Sequence, residues 1–207
     1  SWSSSPSCDA GISPVYSADT PHYCGYWAFD LNDSLNPAYM WRLAPNAAQA
    51  PYMGDPWSKV MPGRVRYMTG GQEVEKWVGF VGAGYNAGDC KASGCDLRGK
   101  GFFVVDLYDG SILWSYTRSD DLDMDFSMAA APAIVDTDND GFIDTVYLGD
   151  LGANMWRFTF CTSADMSGTD GCSISDWDGS LFFDASSGQI RPIYTSAAVA
   201  RDGKGNL

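Results

Sequence analysis

The chain has 207 residues, 45% of them hydrophobic, enough for one large domain or two small ones with a real core. Its 26 acidic residues against 13 basic ones leave a formal charge of −13. That balance argues against nucleic acid, whose phosphates need a basic surface, and against direct docking on anionic lipid. No apolar run is long enough for a membrane-spanning helix and no signal peptide is visible, so an exported protein would be met here as a mature or internal piece.

Gly at 23 residues, Pro at 10 and an aromatic content of 14%, with almost no 3.6-residue apolar period, predict an all-β chain of short strands and turns. Residues 1–25 are rich in Ser, Pro, Asp and Gly and carry Cys8 and Cys24. They read as an irregular, disulfide-pinned opening segment, with the β domain over 26–207. The six cysteines fall into three local groups, Cys8 with Cys24, Cys90 with Cys95, and Cys161 with Cys172. No C-x-x-C occurs and His22 is the single histidine, which disfavours zinc and c-type haem. Three disulfides formed in an oxidising compartment are expected. Local pairing is the preferred one among the connectivities that six cysteines allow.

From residue 26 a pattern recurs. It reads YWAFDLNDSLNPAYMWRL at 26–43, FFVVDLYDGSILWSYT at 102–117 and VYLGDLGANMWRFTF at 146–160. Each copy is an apolar strand, an Asp-Leu, a turn and a strand containing Trp. The anchors are Asp30 with Trp41, Asp106 with Trp114, and Asp150 with Trp156. Trp114 and Trp156 are 42 residues apart, and Asp106 and Asp150 are 44 apart, the period of four-stranded propeller blades. The expected fold is therefore a β-propeller of four-stranded blades, about three to five of them and incomplete in this chain, since propellers close with about four to eight. Asp would cap each hairpin turn and Trp would pack between blades. Between the first two copies, Trp77 to Gly84 alternates small and large residues, and its glycines would let another backbone approach closely. A phosphate-loop reading of Gly79, Gly82 and Gly84 fails for want of a following helix and a lysine. The loop from Cys90 to Gly99 reads as an insertion.

The stretch VDTDNDGFIDTVYLGD at 135–150 is the most specific. It places Asp136, Asp138, Asp140 and Asp144 at the first, third, fifth and ninth places of one short loop, with Gly141 at the sixth. Calcium takes several hard oxygen ligands, and alternating carboxylates on a tightly wound loop can converge on it. The carbonyl of Phe142 at the seventh place could turn inward as a further ligand. The loop is not an EF-hand, because Tyr147 stands where that motif needs a bidentate Glu. Ala133–Val135 before it and Thr145–Gly149 after it read as strands. The ion would thus close a turn between two antiparallel strands, as in the similar calcium loops of integrin-type propellers.

These residues also resemble the C-terminal β-propeller of the PilY family of type IV pilus proteins. The likeness covers about residues 26–207. It rests on the FDLND-to-Trp element, GDPWSK at 54–59, WVGFVGAGY at 77–85, VVDLYDGSILW at 104–114, and above all DTDNDGFIDTVYLGDLGANMWRF. The resemblance implies an exported protein at the pilus tip, cell surface or outer membrane. It implies roles in pilus assembly, in control of extension and retraction, and in attachment. Its metal ligands would be Asp136, Asp138, Asp140, Phe142 and Asp144, with Ca2+ as the ion. Its partners would be minor pilins or the remaining blades of the same protein, with no membrane insertion. The chain ends at DGKGNL, which reads as a hairpin turn before a further strand.

Two other functions compete. FFVVDLYDGSILW is similar to the docking repeats of quinoprotein dehydrogenases, but this concerns a blade scaffold and no adjacent cysteine pair is present. A secreted, lectin-like binding module would use exposed Trp and Tyr. No catalytic residues are assigned, since His22 has no evident nucleophile partner. The acidic string from Asp120 to Asp125 reads as a solvated loop, and Asp165, Asp170, Asp176 and Asp178 receive no role.

Overall fold

The computed structural model describes residues 25–43, 45–90, 94–168, 171–185 and 191–200. The opening segment with Cys8, His22 and Cys24, and the turn expected at 202–207, lie outside the described residues.

The strands of the described residues form three antiparallel sheets. The hairpin β1 (Trp27–Asp30) and β2 (Ala38–Arg42) makes a two-stranded sheet. β3 (Met61–Thr69), β4 (Gln72–Gly82), β5 (Gly101–Asp106) and β6 (Ile112–Thr117) pair in chain order. β7 (Ala133–Val135), β8 (Thr145–Gly149), β9 (Asn154–Thr159) and β10 (Asp178–Asp184) repeat that arrangement. These are two four-stranded propeller blades preceded by a hairpin. The three sequence repeats are the hairpins β1–β2, β5–β6 and β8–β9.

The repeated aspartates do the same local job. The Oδ1 atoms of Asp30, Asp106 and Asp150 each accept from the backbone N–H two residues on, Asn32, Tyr108 and Gly152, all at 2.8 Å. A carboxylate that satisfies an otherwise unpaired turn amide stabilises the hairpin directly.

Alternation along β5 explains the packing. Phe102 and Val104 face the second blade, where they join Val146, Leu148, Trp156 and Phe158 in one core. Phe103 and Val105 face the other way and pack with Trp41, Leu43 and Tyr26 of the leading hairpin. With both faces covered, all six residues of β5 are buried, so the strand reads as a continuous apolar run. The blade contact is aromatic: Phe102 stacks on Phe158 at 4.0 Å between centroids, and Trp114 meets Trp177 edge-on at 6.1 Å. Such pairs add about 0.5–1.5 kcal/mol beyond their burial. The close approach expected of the glycine-rich strand occurs at Gly82, where a Cβ would stand 2.3 Å from the Met128 carbonyl oxygen.

The tryptophans divide. Trp41 donates from Nε1 to the Leu107 carbonyl of the next blade at 2.9 Å, and Trp114 packs across the blade interface. Trp156 is wholly buried in the core between the blades and donates to Asp150 of its own hairpin.

Candidate metal centre

The 136–144 loop joins β7 to β8, as its flanking strand-like runs predict. Its winding needs two residues with positive φ, Asn139 at 61° and Gly141 at 90°. Asparagine and glycine are the residues that enter that region most readily. The backbone then turns its amides inward. Asp140 N–H donates to Asp136 Oδ1 at 3.2 Å and to Asp138 Oδ1 at 3.3 Å, and Gly141 N–H donates to Asp136 Oδ2 at 2.8 Å.

Three of the four carboxylates converge. Asp136, Asp138 and Asp144 each offer an oxygen, and these oxygens lie within 4.8 Å of one another. Asp144 is only 2% exposed. Its Oδ2 accepts from the Thr137 amide at 2.8 Å and the Thr137 hydroxyl at 2.6 Å. Its Oδ1 is buried with no hydrogen-bond partner. The Thr145 hydroxyl also favours the charged form of this carboxyl. Burial pushes the Asp144 carboxyl above the usual range, against the opposing effect of the threonines. An orphaned carboxylate oxygen inside the fold costs about 1–3 kcal/mol or more unless something positive meets it. A donor set made only of hard oxygens suits a hard cation. The residues therefore fit a metal ion.

The fourth carboxylate stands apart from this group. Asp140 Oδ1 accepts from Phe142 N–H at 2.8 Å, and its Oδ2 pairs with the Arg66 guanidinium of β3. Phe142 lies with its ring beneath Arg64 and Arg66, 4.4 and 4.7 Å from the guanidinium carbons. Ile143 N–H donates to the Arg64 carbonyl at 2.7 Å. The loop thus belongs to the second blade but rests on the first strand of the blade before it.

Its other side is held by α1 (Ser163–Met166). Ser163 donates from its amide to Asp138 Oδ2 at 2.7 Å, and from its hydroxyl to the same oxygen. These bonds outweigh partial desolvation and hold the Asp138 carboxyl below the usual range. The helix is set by a capping box between Thr162 and Asp165, and pinned by the disulfide Cys161–Cys172. Cys90 is bonded to Cys95. Both pairings are the local ones expected, while Cys8 and Cys24 lie outside the described residues.

Arg66, Thr137 and Ser163 were not among the residues singled out from sequence. The box Thr162-Ser163-Ala164-Asp165 carries a capping signal that could have placed α1, and with it a role for Asp165. The acidic string is a turn in which Asp120 accepts from Thr117 and Asp125 pairs with Arg118.

A family model of the PilY1 β-propeller domain matches residues 47–203. The chain belongs to the PilY1 β-propeller family. It is 32% identical over 90 residues to the type IV pilus biogenesis factor PilY1 homolog of Xylella fastidiosa, a match covering 40% of this chain and 6% of that protein. To the type IV pilus biogenesis factor PilY1 of Pseudomonas aeruginosa it is 28% identical over 134 residues, covering 65% of this chain and 10% of that protein. The crystal structure of the P. aeruginosa PilY1 C-terminal domain is similar at a TM-score of 0.64 and 22% identity, over 88% of this chain and 36% of that one. This likeness is one of fold. The chain matches only 6–10% of the length of these relatives.

Proposed function

We propose that this propeller is a calcium-binding structural component of a type IV pilus system. In this reading it acts outside the cytoplasm, at the pilus tip or cell surface, and supports pilus assembly, control of extension and retraction, and attachment. No catalytic role is assigned to it. Family membership supports the pilus assignment. Two disulfides among the described residues support an oxidising compartment. Its partners are minor pilins or further blades of the same protein.

The observation that carries the metal reading is the buried, unpartnered Oδ1 of Asp144 beside Asp136 and Asp138. Asp136, Asp138 and Asp144 would hold the ion. Asp140 and the Phe142 carbonyl, named from the loop spacing, complete the set in this reading. Calcium bound there neutralises repelling carboxylates and secures the turn between β7 and β8. The test is calorimetric titration of the chelator-stripped protein. One calcium per chain is expected, with uptake abolished in the Asp136→Ala, Asp144→Ala double variant. Unchanged uptake in that variant would remove the site. Normal surface piliation in cells carrying the variant would remove the role in pilus control.

A further inference from the structure

The side chain of Asp140 is shared between its own loop and the preceding blade. Its own amide donates to both Asp136 and Asp138, so its backbone lies directly over the carboxylate cluster. Its Oδ1 is committed to the Phe142 amide, while its Oδ2 leaves the loop and pairs with Arg66, 74 residues away. The two side chains are mostly buried, 14% exposed for Arg66 and 17% for Asp140. The guanidinium is only partly served there. Its Nε is buried without a partner, and its other terminal nitrogen reaches Glu73 at 4.0 Å. The ring of Phe142 would still stack against Arg66 if the ion pair opened.

We propose that Arg66 is a resident competitor for the loop cation. The inference rests on the reading that the loop takes calcium. In the ion-free loop the guanidinium of the neighbouring blade neutralises Asp140 and ties the loop to β3. A divalent ion among Asp136, Asp138 and Asp144 attracts the same carboxylate, and its pull on the Asp140 charge opposes that of the guanidinium. Binding therefore moves Asp140 from Arg66 to the ion and exchanges a contact between blades for a contact within the loop. By linkage, whatever strengthens the Arg66 pair weakens calcium binding by the same factor. The loop's affinity is thus set in part by a residue of the preceding blade.

The test measures calcium affinity of the chelator-stripped full chain by calorimetry, with melting in EDTA alongside, for wild type and Arg66→Gln. Competition predicts two opposite movements. Kd falls by roughly fivefold, the worth of one such ion pair, while the melting temperature in EDTA drops. Arg66→Lys, which keeps the charge, brings Kd back towards wild type. If Arg66 merely holds the loop in shape, Kd in Arg66→Gln rises or stays the same, and the exchange is overturned. Asp140→Asn gives an independent arm that leaves Arg66 in place. It weakens calcium binding if Asp140 transfers to the ion, and unchanged affinity overturns the transfer. No calcium uptake by wild type would overturn the cation reading itself, and the competition with it.

Discussion

Trp156 Nε1 donates to Asp150 Oδ2 at 2.9 Å, and neither side chain is exposed to solvent. The same oxygen accepts from Asn154 Nδ2 at 2.9 Å. The other oxygen accepts from the amides of Gly152 and Asn154 at 2.8 and 3.0 Å. Burial pushes this carboxyl above the usual range, and four donors oppose that push. The site is built for an acceptor with two oxygens.

Asp150→Asn is therefore not conservative. The new amide group would face two donors where an acceptor is needed. A loss of about 2–3 kcal/mol is expected, the scale of hydrogen bonds to a buried charged group. Urea unfolding followed by tryptophan fluorescence measures it, and an unchanged midpoint would contradict the account.

Asp144→Asn should move stability in opposite directions in two buffers. Without calcium it removes a buried charge whose Oδ1 is unpaired while an oxygen remains to accept from Thr137, so the melting temperature in EDTA rises. With calcium it loses the ion's contribution, which for wild type is about 2.7 kcal/mol at a hundredfold excess over Kd. Scanning calorimetry in both buffers reads the crossing.

The disulfide Cys161–Cys172 closes a short loop, with a sequence separation of 11. Replacing both cysteines by alanine should cost about 2–3 kcal/mol by loop entropy. Trp177, whose Nε1 donates to Cys161 Sγ at 3.2 Å, also loses a partner. Chemical denaturation of the double variant gives the number.

Alkaline stability should depend on Lys76. Its hydrogen bond to Asp106 raises the ammonium above the ordinary lysine value, partly offset by desolvation. The folded state thus holds this proton more tightly than the unfolded chain. The contribution is complete below the unfolded pKa and is lost as pH rises through the higher folded one. Lys76→Met should flatten the decline in stability above about pH 10, measured as urea midpoint against pH.

Much of this molecule could be read from local spacing. The strands around Asp136–Asp144, the Asp-capped hairpins and the bonds Cys90–Cys95 and Cys161–Cys172 depend on residues near in sequence, where period and turn chemistry act directly. The partners of the acidic loop could not be read this way. Arg66 is 74 residues from Asp140, and Ser163 is 25 from Asp138. Those contacts exist because β3 packs beside β7 and because a disulfide positions α1. Trp114 and Trp156 hold equivalent places in the sequence repeat and both join the core between the blades, yet Trp156 also bonds its own turn. Their strands also differ in place, since β6 is an outer strand of its sheet and β9 an inner one.

The link from Cys161 through α1 to Asp138 ties the acidic loop to a covalent bond elsewhere in the chain. Ser163 reaches Asp138 from a helix that begins two residues after the bonded cysteine. A newly made chain with free thiols lacks the covalent tie that keeps this helix beside the loop. The backbone amides of the loop and Thr137 still hold the carboxylate cluster from within. Thiol oxidation thus stiffens, from a distance, the contact that Ser163 makes with Asp138.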